Sequence, residues 1–208
     1  MLNGTFITIE GIEGLGKSTN LEFIANKCRS DGYEVIVSRE PGGTIIGEKI
    51  RDLILNSQPD DMTNLTELIL MFAARAEHIS KLIIPALKEG KLVICDRFTD
   101  ATLAYQGNGR GLKKEIILSL QELIEGELKP DLTILLDAPL EISASRMAGR
   151  NWKDRFEKED LGFFSRVQEG YLNIAKAEPN RVKIINANQS IERVQEDISS
   201  LLDKHIKN

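Results

Sequence analysis

Cysteine, histidine and tryptophan are all scarce in these 208 residues, at two, two and one. Two cysteines cannot build a disulfide framework. Cys28 lies in a helical pattern and Cys95 at the end of an apolar run, so both are expected as reduced, packed thiols. His78 and His205 lack ligand spacing, which argues against a histidine-based metal site. Long apolar runs are missing too. The longest uncharged one, Leu68 to Ala74, falls far short of the roughly 20 residues a membrane-spanning helix needs. No basic region precedes the first apolar segment, and Glu10 interrupts it, so no signal peptide is expected. Positive charge is in deficit, with 27 Lys and Arg against 32 Asp and Glu. The net charge of −5 disfavours nucleic acid and membrane as partners, although a local basic cleft remains open. Repeats and low-complexity tracts are absent. The chain reads as one domain over 1–208 and as a cytoplasmic protein.

What is present alternates. Five short runs rich in Val, Ile and Leu recur: "TFITIE" (5–10), "YEVIVS" (33–38), "KLVIC" (91–95), "LTILLD" (132–137) and "RVKIIN" (181–186). They are nearly continuous rather than alternating, as strands buried on both faces should be. Helical patterns lie between them. Asn64 with Glu67 resembles a capping box ahead of "LILMFAARAEHISKLI", a helix that Pro85 should end or kink. Segments 113–128 and 190–206 are amphipathic helices. The expectation is an α/β fold with a mostly parallel sheet, which places ligands beyond the carboxyl ends of the strands. That points at the residues following Glu10, Ser38, Cys95 and Asp137.

Directly after the first run comes "GIEGLGKST" (11–19), which fits G-x-x-x-x-G-K-[ST] with a strand before it and a helix after. A polyphosphate is gripped there by inward-pointing backbone N–H groups, so side chains at Gly11, Gly14 or Gly16 would obstruct it. The helix N-terminus adds partial positive charge. Lys17 supplies a cation for the β- and γ-phosphates, and Ser18 a hydroxyl for Mg²⁺. The candidate ATP-binding residues are therefore Gly11, Ile12, Glu13, Gly14, Leu15, Gly16, Lys17, Ser18 and Thr19. GTPase switches, ATPases and small-molecule kinases share this loop, so other strand ends must discriminate. A GTPase would need a late Asn/Thr-Lys-x-Asp run, and "NANQS" (186–190) is not one. After the second strand come Arg39, Glu40 and a Pro41-Gly42-Gly43 turn, where the Glu40–Pro41 bond could be cis. Arg51 follows on a helix. After the third strand come Asp96 and Arg97, then Thr102 and Tyr105. A carboxylate there can hold Mg²⁺ or an acceptor group, and an arginine can fork onto a phosphate. Several arginines facing one cleft suggest an acceptor that is itself a phosphate.

The glycine loop, "REPGGT", "FAARAEH", "DRFTDATLAYQG" and "DRFE" (154–157), in this order and spacing, resemble bacterial thymidylate kinases over almost the whole chain. The resemblance implies a three-layer P-loop kinase fold with a five-stranded parallel sheet flanked by helices, and a short lid near 143–157. It implies transfer of the γ-phosphate of ATP to dTMP, with Mg²⁺, by a homodimer serving dTTP biosynthesis. Glu13 would reach the sugar 3′-hydroxyl, and Arg97, Arg51 and Arg39 would hold the acceptor phosphate. Arg75 would bond a thymine carbonyl and Thr102 the ring nitrogen, with Tyr105 beneath the deoxyribose and Gln106 also among the dTMP-binding residues. Asp96 would help Ser18 place Mg²⁺. The residue stacked on thymine is either Phe72 or Met71, since the family's phenylalanine position holds Met71. Some members carry an arginine just after the loop lysine, where Ser18 stands here. The resemblance therefore gives the catalytic set as Lys17, Arg97, Glu13 and a lid arginine, assigned as Arg150 with Arg155 and Arg146 as alternatives.

Overall fold

The five apolar runs become the five strands β1 (Thr5–Glu10), β2 (Val35–Arg39), β3 (Leu92–Asp96), β4 (Leu132–Asp137) and β5 (Val182–Asn186). All pair in parallel, in the order β2-β3-β1-β4-β5. A computed structural model describes residues 2–58, 61–148, 155–157 and 159–206. The continuous apolar character is explained by burial: every residue of β1 from Phe6 to Glu10 is buried. Side chains of a strand alternate between faces, and the core divides accordingly. Ile7, Ile9, Leu92 and Ile94 join the larger cluster, while Phe6, Val93 and Cys95 join a second one on the opposite face. Helices α1 (Lys17–Ser30), α8 (Leu161–Ala177) and α9 (Ile191–His205) contribute Ile24, Val167 and Ile198 to the first. Residues 79–88, which precede β3, contribute Ile79, Ile83 and Leu87 to the second. The architecture is the three-layer α/β arrangement that the alternating pattern calls for.

Register sets the site. Ile9 pairs with Asp96, which also pairs with Arg39, so Glu10, Arg97 and Glu40 emerge at neighbouring levels of the carboxyl edge. Cys28 and Cys95 are buried free thiols, each with its pKa raised by burial. Among the described residues no helix is long and apolar enough to cross a membrane.

Three local expectations change. Residues Tyr33 and Glu34 stay outside β2. Helix α3 (Asn64–His78) is capped by Thr63, whose side chain accepts from the Thr66 N–H, one residue before the expected Asn64. Glu67 is then free of capping duty and is fully buried. Pro85 neither ends nor breaks the run. A π-helical stretch, Ile79–Ile83, carries α3 into α4 (Ile84–Lys88), which places Pro85 in a first turn where no intrahelical N–H is needed. The remaining helices are α2 (Ile45–Asn56), α5 (Thr99–Thr102), α6 (Lys114–Glu125) and α7 (Leu140–Ala148), with a second π-helical stretch, Leu103–Gly109, after α5. If Thr63 caps α3, Thr63→Ala should lower stability by about 1 kcal/mol in urea denaturation. Asn64→Ala should be near neutral; the reverse ranking would restore the capping box.

Candidate active site

Between β1 and α1 the backbone is bare for a steric reason. Gly11 has φ 134°, and a Cβ there would lie 2.4 Å from the Leu136 carbonyl oxygen of β4. A side chain would wedge the loop off the sheet. Lys17 opens α1, and its Nζ donates to the carbonyls of Gly11 at 2.9 Å and Ile12 at 2.8 Å. Burial, then the nearby Arg97 charge, lowers its pKa from 10.5 to about 8; the cation is short of an anion. Ser18 and Thr19 are exposed, whereas Ile12 and Leu15 anchor the loop in the core. Beside the loop runs a groove of about 240 Å³ lined by Gly14, Gly16, Thr19, Arg146, Ala187 and Gln189. Arg146 donates across it to the carbonyls of Gly14 and Ala187.

The second centre is Arg97. It is the one described non-glycine residue with positive φ, 69°, a conformation costing about 1–2 kcal/mol for an L-residue. Its guanidinium repays this with close partners. Nη2 donates to Glu13 Oε1 at 2.8 Å and to the Tyr105 hydroxyl at 3.0 Å, and Nη1 to the Tyr171 hydroxyl at 2.9 Å. The group also sits 4.7 Å from the Tyr105 ring centroid. Burial raises both phenol pKa values, so each keeps a proton to donate: Tyr105 to Glu13, and Tyr171 to Glu10 Oε2 at 2.7 Å. Glu10 is wholly buried and accepts the Phe98 N–H through its other oxygen.

Glu13, Arg51, Met71, Arg75, Arg97, Thr102, Tyr105 and Gln106 line one cleft with Pro41 and Phe156. Eight residues expected to meet the acceptor therefore converge. Arg75, almost fully buried, donates to Glu40 at 2.7 Å, Thr102 at 2.9 Å and Glu125 at 3.3 Å. Arg51 donates to the Pro41 carbonyl at 2.9 Å, beside a Glu40–Pro41 bond that is cis. Phe72 does not line the cleft; it packs beneath the Arg75 guanidinium at 4.9 Å. Arg39 is half-exposed and pairs with Glu48 at 2.8 Å, away from the cleft wall. Asp96 lies at the β3 end with Oδ1 buried and without a hydrogen-bond partner. Arg150 lies outside the described residues. Arg155 is buried in an ion pair with Glu67 of α3 at 2.8 Å. A larger cavity of about 490 Å³, lined in part by Leu103, Lys114, Gln121, Asn173 and Arg181, contains none of the glycine loop or the cleft arginines.

Sequence reasoning passed over Glu10, Tyr171 and Phe156. Phe156 meets the Tyr105 ring edge-on at 5.7 Å. A carboxylate inside an otherwise apolar central strand was the available signal for Glu10. Tyr171 sits in an ordinary amphipathic helix 161 residues from its partner, and no local pattern marks it.

The family model described as thymidylate kinase matches residues 9–198. Over 201 residues the chain is 51% identical to the thymidylate kinase of Pseudomonas syringae pv. tomato, covering 97% of this chain and 96% of that one. It is 49% identical, with the same coverage, to the thymidylate kinase of Ectopseudomonas mendocina. The crystal structure of thymidylate kinase from Ehrlichia chaffeensis matches with a TM-score of 0.80 at 32% identity, over 96% of this chain and 99% of that one.

Burial, then the Asp100 charge, raises the Glu10 pKa from 4.5 to about 8. Between those values the folded chain keeps a proton that the unfolded chain has released, so stability should fall as pH rises through that window. Glu10→Gln removes the titration and should flatten the fall in urea midpoint from about pH 5 to about pH 8. A slope equal to that of the native chain would contradict the assignment.

Proposed function

Since the chain belongs to the thymidylate kinase family and phosphorylates dTMP to dTDP with ATP, we propose how its residues divide that work. The glycine loop, from Gly11 to Thr19, holds the donor polyphosphate on backbone N–H groups. The Arg146 groove takes the rest of ATP. Lys17 turns from the two loop carbonyls onto the β- and γ-phosphates, which is where a partly buried ammonium of lowered pKa gains most.

On the acceptor side, Arg97 and Arg51 hold the dTMP phosphate. Glu13 and Tyr105 meet the deoxyribose. Arg75, Thr102 and Gln106 meet the thymine edge, and Met71 covers its face. The observation that carries this reading is the convergence of Arg97, Arg51 and Arg75 on one cleft that also contains Glu13. A forked cation at one end and a buried donor at the other match a nucleotide with one phosphate. Arg39 would join only by leaving Glu48.

Phosphoryl transfer asks the protein mainly for positioning and neutralisation of charge. Mg²⁺ fits the residues present: Asp96 Oδ1 is a buried oxygen without a partner, and the Ser18 hydroxyl is exposed at the loop. Among the described residues no cluster of three His, Cys, Asp or Glu could hold a metal alone, as expected for an ion that binds mostly phosphate and water. Bound there, it would screen charge on the transferring group. The lid, near 143–157, excludes water and brings Arg150 to the phosphates. Arg155, tied to Glu67, anchors the lid base.

The chain acts as a single domain in the cytoplasm and as a homodimer. Leu53 of α2 and Leu65 and Ile69 of α3 are about half-exposed on two helices that pack together, a face a second copy would cover.

A coupled assay with ATP, Mg²⁺ and a panel of nucleoside monophosphates tests the reading. dTMP should be preferred; a clear preference for AMP, CMP or GMP would overturn it. Lys17→Ala should cut turnover by on the order of 10²–10³, and Arg150→Ala should lower kcat more than it raises KM for dTMP. A larger kcat loss for Arg146→Ala than for Arg150→Ala would move the role to Arg146.

A further inference from the structure

His78 lies three residues beyond Arg75 on α3 and is wholly buried. Its Nδ1 is 2.9 Å from Glu40 Oε1, and its Nε2 is 2.7 Å from Ser38 Oγ. The other Glu40 oxygen accepts Arg75 Nε at 2.7 Å. A Glu40 carboxylate can only accept, so Nδ1 carries a proton and donates to it; in the neutral imidazole Nε2 then accepts from the Ser38 hydroxyl. The groups form one directed chain from Ser38 through His78 to Glu40, with Arg75 donating to its far end.

The neighbouring turn is cut back to admit this chain. Gly43 has φ 76°, and a Cβ there would lie 2.4 Å from Ser38 Oγ and 2.6 Å from His78 Nε2. A serine, a histidine and a carboxylate in line can also activate a nucleophile. Here neither Ser38 nor His78 lines the acceptor cleft. Ser38 is itself buried.

Arg75 has five N–H groups. Glu40, Glu125 and Thr102 take three, and Phe72 and Phe98 flank the guanidinium at 4.9 and 5.0 Å. Among the described residues two N–H groups remain without a partner, one on each terminal nitrogen. Their direction depends on Glu40, which leads directly into the Pro41 carbonyl that holds Arg51.

We propose that His78 is a positioning residue for recognition of the acceptor base. Through Glu40 it fixes Arg75 so that the remaining N–H groups meet a carbonyl on the pyrimidine edge and reject an amino group there. The inference rests on Arg75 facing the base, as read above. A donor facing a donor is the penalty that separates thymine from a 4-amino pyrimidine.

The test compares dTMP with 5-methyl-dCMP, in which a 4-amino group replaces the 4-carbonyl and N3 carries no proton, in steady-state assays of His78→Leu, His78→Asn and Ser38→Ala, none of which alters the Thr102 contact to N3. His78→Leu should raise KM for dTMP about tenfold and lower the preference for dTMP over 5-methyl-dCMP by a similar factor. Its kcat and its KM for ATP should change less than about twofold. His78→Asn keeps a donor near the Nδ1 position and should recover most of the preference. Ser38→Ala should shift both quantities in the same direction by less, and it carries the test if His78→Leu does not fold. An unchanged preference in a folded variant, or an equal loss toward ATP, would overturn the proposal. A native enzyme without preference for dTMP would instead overturn the substrate reading, before any variant is made.

Discussion

The pairing of Arg97 with Glu13 is the constraint on which the site depends. A guanidinium at the end of a buried strand is costly to remove from water unless it is paired and hydrogen-bonded. Here a carboxylate and two phenols take three of its five N–H groups, at 2.8 to 3.0 Å. The cost is accepted together with a left-handed backbone at φ 69°. The Arg97 N–H still donates to the Ile9 carbonyl at 3.1 Å, so the sheet ladder continues while the side chain departs from it. Such strain persists only where surrounding structure over-determines it, and it concentrates at working sites. Glu13 belongs to the glycine loop and Arg97 to the end of β3, so one ion pair ties the loop to the arginine cleft, the two places we propose for donor and acceptor.

The rest of the fold supplies supports for that pair. β1 and β3 run side by side, which brings Glu10 and Arg97 to one edge. Tyr171 of α8 bridges them by accepting from Arg97 and donating to Glu10. At the far end of the cleft, Arg75 is held with the same economy by Glu40, Thr102 and Glu125. Glu67 of α3, fully buried, takes Gln106, Arg110 and Arg155 and so pins Arg155 to the helix that carries Arg75. Each of these buried groups is answered by opposite charge or by a directed hydrogen bond. Removing one member would leave its partner uncompensated, a larger penalty than loss of an exposed pair.

Much of this was legible in the sequence. Strands buried on both faces show as continuous apolar runs; β1 and β4 have the expected limits, and those of β2, β3 and β5 shift by one or two residues. The glycine loop is legible because its chemistry is local: the turn, the phosphate grip and the lysine lie within nine residues. Thr63 instead of Asn64 as a cap was not separable, since both residue types cap well. The π-helical stretches were invisible because the choice between i→i+4 and i→i+5 bonds leaves no mark on apolar spacing. Phe72 and Met71 could not be ranked from neighbouring positions on an apolar helix; packing under Arg75 put Phe72 behind the guanidinium. Glu10, Tyr171 and the His78 chain lay beyond local reading, because each acts through partners distant in sequence.

The most direct test of the Arg97 account is calorimetric titration of dTMP and of thymidine into the native enzyme and into Arg97→Gln. Thymidine lacks only the phosphate. If Arg97 holds that phosphate, the variant should lose on the order of 100-fold in affinity for dTMP and less than about threefold for thymidine. Equal losses for both, or an unchanged affinity for dTMP, would show that Arg97 serves the fold and not the acceptor.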